Sequence, residues 1–151
     1  MTTAQPRRGS HGSHPKTAKR FRDLLAAERR SPDLYAGLAD ATTRERREIL
    51  TELAAVERRH AAHCADKLTQ LGQPVPHQPG GGCAHELLTW LARRFSLGAV
   101  LPYLERAEHA DAGLYQDDPE VTPAMAVDER SHARVVSHLR KGEEEPGSAI
   151  A

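Results

Sequence analysis

Four stretches of the chain repeat apolar residues every three or four positions, and a carboxylate interrupts each stretch near its middle. This spacing is typical of the buried face of an α-helix, so it places Glu28, Glu57, Glu108 and Glu129 in the driest part of a helical core. Burial of four unpaired carboxylates costs several kcal/mol each, whereas a whole domain is stable by only about 5–15 kcal/mol. No Lys or Arg shares these stripes at the same level. The fold therefore requires another source of positive charge at its centre.

Composition and periodicity together predict an all-α fold. The chain is rich in Ala, Leu, Arg and Glu and has six aromatic residues, which favours helices. The first and last connections are short, so each joins antiparallel neighbours, whereas the middle connection of about 25 residues can cross the length of a bundle. We expect a ferritin-like antiparallel four-helix bundle with one long crossover that contains a short extra helix. The predicted helices cover residues 17–41, 43–71 and 85–95, then a segment that follows a break at Gly98 and ends near 115, and finally 121–140.

The two ends of the chain lack apolar residues, and Pro32 interrupts the first helix. We expect a disordered basic tail, the bundle and a disordered acidic tail at residues 1–15, 16–141 and 142–151. Pro32 has no N–H to donate to the carbonyl of Glu28. The helix must therefore kink beside Glu28, or break at Ser31 so that Pro32 starts a new helix.

The carboxylates belong to an internal repeat. The first and third helices each carry a Glu followed seven residues later by a Tyr, and the second and fourth each carry Glu-x-x-His. The residues are Glu28 and Tyr35, Glu108 and Tyr115, Glu57 and His60, and Glu129 and His132. Residues i and i+3 share a helix face about 5–6 Å apart, so each Glu-x-x-His can bind one metal through His and bridge to a second through Glu. Four carboxylates balance two divalent ions, and this oxygen-rich ligand set suits iron or manganese.

Simpler interpretations exist for parts of this pattern. A single Glu-x-x-His is usually a solvated ion pair, and only the duplication on core stripes makes the metal prediction specific. His63 is more typical of a surface residue or of one that contacts a ligand than of a ligand itself, and Cys64 is more typical of a buried structural cysteine than of a thiolate ligand. Trp90 and Phe95 are expected to pack over the bundle.

The overall charge and the cysteine count exclude several classes of protein. Lys and Arg number 21, as do Asp and Glu, so the net charge is zero. A general nucleic-acid or anionic-membrane binder would show a basic surplus. Two cysteines build neither a disulfide framework nor a four-Cys zinc or rubredoxin site. No apolar run approaches the roughly 20 residues of a membrane span, so we expect a soluble, cytoplasmic protein.

Because of the repeated Glu, Tyr and Glu-x-x-His residues, the segment 17–140 resembles a rubrerythrin-type ferritin-like domain. It resembles in particular the domain that is fused ahead of the membrane part in bacterial relatives of the vacuolar iron transporters. The matching stretches are the Glu28–Tyr35 segment with its following Gly-Leu-Ala, Ala-Val-Glu-Arg-Arg-His-Ala, Trp-Leu-Ala-Arg-Arg-Phe and Asp-Glu-Arg-Ser-His-Ala-Arg. The resemblance implies a non-haem di-iron centre with ferroxidase or peroxide-reducing activity. The matching ligands are Glu28, Glu57, His60, Glu108, Glu129 and His132.

The sequence departs from that family in three respects. The membrane transporter part is absent, so we do not expect the chain itself to move iron across a bilayer. The rubredoxin centre is absent, so electrons must come from Fe(II) or from a partner. Rubrerythrins carry a second Glu three residues after the ligand of the third helix, and here Asp111 stands in its place. Its shorter side chain would reach a metal through water, and Glu105 is the competing candidate for that extra ligand.

The expected mechanism uses two Fe(II) ions bridged by Glu57 and Glu129, with Glu28 and Glu108 as terminal ligands, one His on each iron, and dioxygen or peroxide as oxidant. Tyr35 and Tyr115 either donate hydrogen bonds to ligand carboxylates across the bundle or are packed core residues. The alternative function is an iron-binding or adaptor module without turnover that hands iron to a separate transporter or store, and a homodimer is compatible with either function. A purely structural bundle leaves the four buried carboxylates unexplained.

Overall fold

A computed structural model of the chain describes residues 14–42, 44–77, 82–115 and 123–144. Over these ranges the chain forms six α-helices, one 3-10 turn and no β-strand, which confirms the all-α prediction. The helices are α1 (His14–Glu28), α2 (Ser31–Asp40), α3 (Arg44–Gln70), α4 (Cys83–Arg94), α5 (Leu101–Tyr115) and α6 (Pro123–Glu144), and the 3-10 turn is Leu97–Ala99.

The predicted first helix is broken into α1 and α2. Arg30 lies between them with right-handed helical angles (φ −77°, ψ −37°), and its N–H donates to the carbonyl of Ala27 at 3.0 Å. Pro32 occupies the first turn of α2, where its missing N–H is tolerated. The break is the second of the two expected alternatives, although Ser31 is the first residue of α2 and not its cap. Glu28 is the last residue of α1 and stays buried.

The remaining helix ends follow local signals. Gly72 adopts a left-handed φ of 67° beyond α3, and the N–H of Gln73 returns to the carbonyl of Leu68 at 2.9 Å, which ends the helix as expected. Helix α6 continues to Glu144, past the expected boundary at 141, because the one glycine in that segment costs a helix only about 1 kcal/mol. Of the expected tails at 1–15 and 142–151, residues 14–15 and 142–144 are helical in α1 and α6, and residues 1–13 and 145–151 lie outside the described residues.

The helices pack as two hairpins. Helices α1 and α2 both pack on α3, and α5 packs on α6, while α4 contacts α2 and the 3-10 turn. Gly37 lets α4 approach α2 closely, because a Cβ at this position would lie 2.8 Å from Thr89 Oγ1. Among the helices of the described ranges, none combines the length and the hydropathy that crossing a bilayer requires.

Two aromatic residues, one in α4 and one directly after it, are turned toward solvent. Trp90 is 54% exposed and Phe95 is 64% exposed, so the prediction that both pack over the bundle is wrong. Helix α4 has apolar residues on both faces, and it packs on the core through Leu88, Leu91 and Ala92 instead. The two exposed rings contact each other edge to face, with centroids 6.1 Å apart.

The apolar core is divided into two clusters. One contains Leu38, Leu50 and Leu101 together with neighbours from α4 and α6. The other contains Phe21 and Leu68 together with residues of α5 and α6. Along α3, α5 and α6 the chain passes from one cluster to the other through charged residues, so the polar residues form a layer between two hydrophobic ones.

Candidate metal centre

The layer between the two apolar clusters consists of the six residues expected as ligands. Each of them is at most 5% exposed although all are ionisable. They are Glu28, Glu57, His60, Glu108, Glu129 and His132, contributed by α1, α3, α5 and α6. Buried charged residues require partners in the interior, so the contacts within this layer decide what it can hold.

The six residues form two overlapping groups. In each group every residue offers one ligand atom, and these atoms lie within 4.8 Å of one another. Glu57 and Glu129 belong to both groups, while Glu28 and His60 complete the first and Glu108 and His132 complete the second. These buried Glu and His groups could hold a metal ion.

His60 joins the two hairpins at the first group. Its Nδ1 lies 3.1 Å from Glu129 Oε1 on α6 and 3.5 Å from Glu28 Oε2 on α1. The ring stacks beside that of His132, with centroids 6.0 Å apart and planes inclined by 24°. The two imidazoles of the Glu-x-x-His repeats are therefore neighbours, as a shared site requires.

Three buried polar atoms of the centre lack hydrogen bonds. His132 Nδ1 lies 2.9 Å from Glu57 Oε1, yet it has no hydrogen-bond partner among the described residues. Glu28 Oε2 and Glu108 Oε2 likewise have no hydrogen-bond partner among the described residues. Buried polar atoms nearly always have a hydrogen-bond partner. Here two carboxylate oxygens and one imidazole nitrogen lie close together without such a partner among the described residues. The donor set of carboxylate oxygens and imidazole nitrogens fits iron or manganese.

Two tyrosines link the halves of the molecule. The hydroxyl of Tyr35 on α2 donates to Glu108 Oε1 on α5, and the hydroxyl of Tyr115 on α5 donates to Glu28 Oε1 on α1. The expected hydrogen bonds to carboxylates are present, and both tyrosines are also packed in the apolar clusters, as the alternative expectation had it. Each tyrosine binds one oxygen of its carboxylate, and the other oxygen is one of the unpartnered atoms described above.

Burial shifts the acid–base equilibria of the carboxylates. Burial raises the pKa of Glu57 well above its ordinary value, and the neighbouring carboxylates raise it further. Burial also raises the pKa of Glu108 to about 8, although the hydrogen bond from Tyr35 opposes the shift. The pKa of Glu129 is raised by burial against the opposing hydrogen bond from His60. Without a metal, the centre therefore binds protons that solvated carboxylates release.

The two histidines shift in opposite directions. Burial acts to lower the pKa of His60, but the hydrogen bond with Glu129 and the close negative charge of Glu28 outweigh it and raise the pKa to about 10. Burial and the nearby positive charge of His60 lower the pKa of His132 to about 4. At neutral pH the metal-free centre thus holds one charged and one neutral imidazole.

Asp128 is a contact of the centre that periodicity did not indicate. Its Oδ2 lies 3.1 Å from His60 Nε2, the ring nitrogen that faces away from Glu129. The side chain is 46% exposed, so it lies beside the apolar stripe of α6 and not on it. In the sequence, only its position immediately before Glu129 indicated that Asp128 could lie near the centre.

Other candidate residues lie outside the two groups. Asp111 is half-buried and lines a cavity of about 220 Å³ that it shares with Glu108 and Tyr35. Glu105 accepts a hydrogen bond from Ser137 at 2.5 Å and pairs with Arg140 at 2.7 Å, so its partners belong to α6 and not to the centre.

The two neighbours of His60 on α3 also remain outside the groups. Cys64 is buried in the second apolar cluster, as a structural cysteine would be. His63 is half-buried, and its Nε2 has no hydrogen-bond partner in the described part of the chain.

The second group opens onto the surface through a groove between α3 and α6. The groove has a volume of about 780 Å³, and its walls include Ile49, Leu53, Val56, Val135 and His132. Through His132, it gives a small solute a route to the edge of the buried Glu and His layer.

Comparison with known proteins adds no relative. No protein-family model, curated protein or solved structure matches the chain. The contacts of the site itself therefore carry the functional argument.

Proposed function

We propose that the chain is a ferritin-like four-helix bundle of the rubrerythrin type that binds two iron ions and oxidises Fe(II) with dioxygen or peroxide. In this fold α1 and α2 together are the first helix, α3, α5 and α6 are the others, and α4 lies in the crossover. One observation carries the proposal: two buried ligand groups share Glu57 and Glu129. Ligands common to two adjacent sites are what a bridged metal pair requires.

Each half of the chain contributes equivalent ligands. Glu57 and Glu129, which belong to both groups, would be shared by the two ions, while Glu28 and His60 would complete one position and Glu108 and His132 the other. Four carboxylates then offset two divalent ions, which removes the cost of burying them. When bound, the iron supplies the redox chemistry, in which Fe(II) is oxidised and the oxidant is reduced.

The tyrosines orient the terminal ligands. Because Tyr115 binds Glu28 Oε1 and Tyr35 binds Glu108 Oε1, the free Oε2 of each carboxylate is held in the ligand layer. The two apolar clusters flank that layer, and the groove beside His132 leaves its edge open to small solutes. The protein would thus hold the ions among buried side chains, where charge interactions are stronger than in water.

Iron loading tests the proposal. Protein purified without chelator is loaded anaerobically with Fe(II), its bound iron is measured, and oxidation is followed after air or peroxide is added. We expect two iron ions per chain and oxidation faster than in protein-free buffer. Glu57→Ala or Glu129→Ala should abolish binding of the pair, whereas the exposed controls Glu52→Ala and Glu86→Ala should bind two ions.

Each outcome of this experiment is informative. Binding of two ions without oxidation identifies the alternative function, an iron-binding or adaptor module that hands iron to a transporter or store. Failure to bind a pair, or unchanged binding in all four variants, shows that the ligand assignment is wrong. The cytoplasmic location and the homodimer stay predictions.

A further inference from the structure

The two halves of the ligand layer differ at one corresponding position. Asp128 immediately precedes Glu129 in α6, whereas Val56 immediately precedes Glu57 in α3. Asp128 Oδ2 lies 3.1 Å from His60 Nε2, while Nδ1 of the same ring lies 3.1 Å from Glu129 Oε1. Polar contacts therefore fix the His60 ring at both nitrogens.

His132 lies in a different environment. Its Nδ1 faces Glu57 Oε1 at 2.9 Å, and its ring lines the groove between α3 and α6 together with Val56 and Asp128. The isopropyl group of Val56 can neither donate nor accept a hydrogen bond. Val56 therefore cannot orient the ring of His132 through a hydrogen bond, as Asp128 orients the ring of His60.

We propose that Asp128 is a positioning residue that makes the two metal positions unequal, so that the first ion binds at His60 and the second, at His132, binds more weakly. This inference rests on the proposed function. A carboxylate bonded to the remote nitrogen of a ligand histidine fixes its tautomer and ring orientation and increases its basicity. Loss of such a contact typically lowers metal affinity about 10- to 100-fold.

Titration of the metal-free protein with Mn(II), followed by calorimetry, measures both binding steps directly. We expect two steps whose affinities differ by about 10- to 100-fold. Asp128→Ala should weaken the tighter step by a similar factor, and Asp128→Asn, which retains an oxygen acceptor, should restore part of the loss. Glu52→Ala removes a carboxylate from the same groove and should change neither step.

Two further sets of variants assign the steps and guard against loss of folding. Val56→Asp places a carboxylate at the position that corresponds to Asp128 and should strengthen the weaker step. His132→Ala should keep the tighter step and His60→Ala should lose it, with circular dichroism as the check on folding. Equal affinities in the wild-type protein, or unchanged steps in both Asp128→Ala and Val56→Asp, would overturn the inference and leave the proposed function intact. Failure of the wild-type protein to bind two ions would instead overturn the proposed function.

Discussion

The metal-free protein should lose stability as the pH rises from about 5 to about 7. Chelation is the perturbation, and Glu108 is the clearest contributor because its pKa is raised from the ordinary 4.5 to about 8 in the folded state. A raised pKa means that the folded state binds its proton more tightly than the unfolded state does. The stability this proton provides is complete below the unfolded pKa and is lost as the pH rises toward 8.

The size of the effect follows from the number of protons retained. One group that stays protonated in the folded state and is ionised in the unfolded state costs about 1.4 kcal/mol per pH unit, or about 3 kcal/mol between pH 5 and 7. Glu57, whose pKa is raised further, adds a similar loss. His132 opposes this loss. Its pKa is lowered to about 4 in the folded state, so between pH 5 and 6.5 the imidazole is neutral in the folded state and charged in the unfolded state, and stability rises with pH. The net loss is about 3–4 kcal/mol, a large fraction of the 5–15 kcal/mol typical of a domain.

Urea denaturation followed by far-ultraviolet circular dichroism measures this dependence. With chelator present, the free energy of unfolding should fall from pH 5 to pH 7, and Fe(II) or Mn(II) should restore it at pH 7. Glu108→Gln removes one of the titrating groups, so its slope should be shallower by about 1.4 kcal/mol per pH unit. Glu86→Gln changes an exposed carboxylate and should keep the wild-type slope. Metal-free stability that is flat or rises over this range would refute the reasoning.

Two other predictions concern the elements that orient the terminal ligands. Tyr115→Phe removes the hydroxyl that donates to Glu28, which should lower the free energy of unfolding by about 1–3 kcal/mol and weaken metal binding; an unchanged titration would show that the bond does not orient the carboxylate. Pro32→Ala should allow α1 and α2 to join, so we expect a higher melting temperature and weaker metal binding if the break aims Glu28. A more stable variant with unchanged metal affinity would show that the proline is incidental.

The sequence was sufficient to predict the buried layer of Glu and His residues because its members lie on core-facing stripes. An ionisable residue at a position where periodicity demands an apolar one is conspicuous, and all six residues chosen in this way are buried together. The same method could not find Asp128. In the sequence, a carboxylate beside the apolar stripe cannot be told from a solvated one. Only the packing of α3 against α6 places His60 next to Asp128.

The break between α1 and α2 and the exposure of Trp90 depended on contacts that periodicity does not encode. Pro32 is compatible with a kinked helix or with a new one, and the packing of α2 on α3 and α4 decides between them. Helix α4 is apolar on two faces, so hydrophobicity alone does not say whether Trp90 or Leu88 meets the core.

The exchange of tyrosine hydrogen bonds has an evolutionary consequence. Tyr35 binds a carboxylate of the second hairpin and Tyr115 binds one of the first, which is the reciprocal pattern of an isologous contact between two identical subunits. One hairpin gene, expressed as a two-fold dimer, would therefore be enough to assemble the same four carboxylates and two imidazoles. Both subunits of such a dimer would carry the same residue immediately before the Glu of Glu-x-x-His, the position that Val56 occupies here. A single chain that carries both hairpins can place valine on one side of the layer and aspartate, as residue 128, on the other, which a dimer of identical hairpins cannot do.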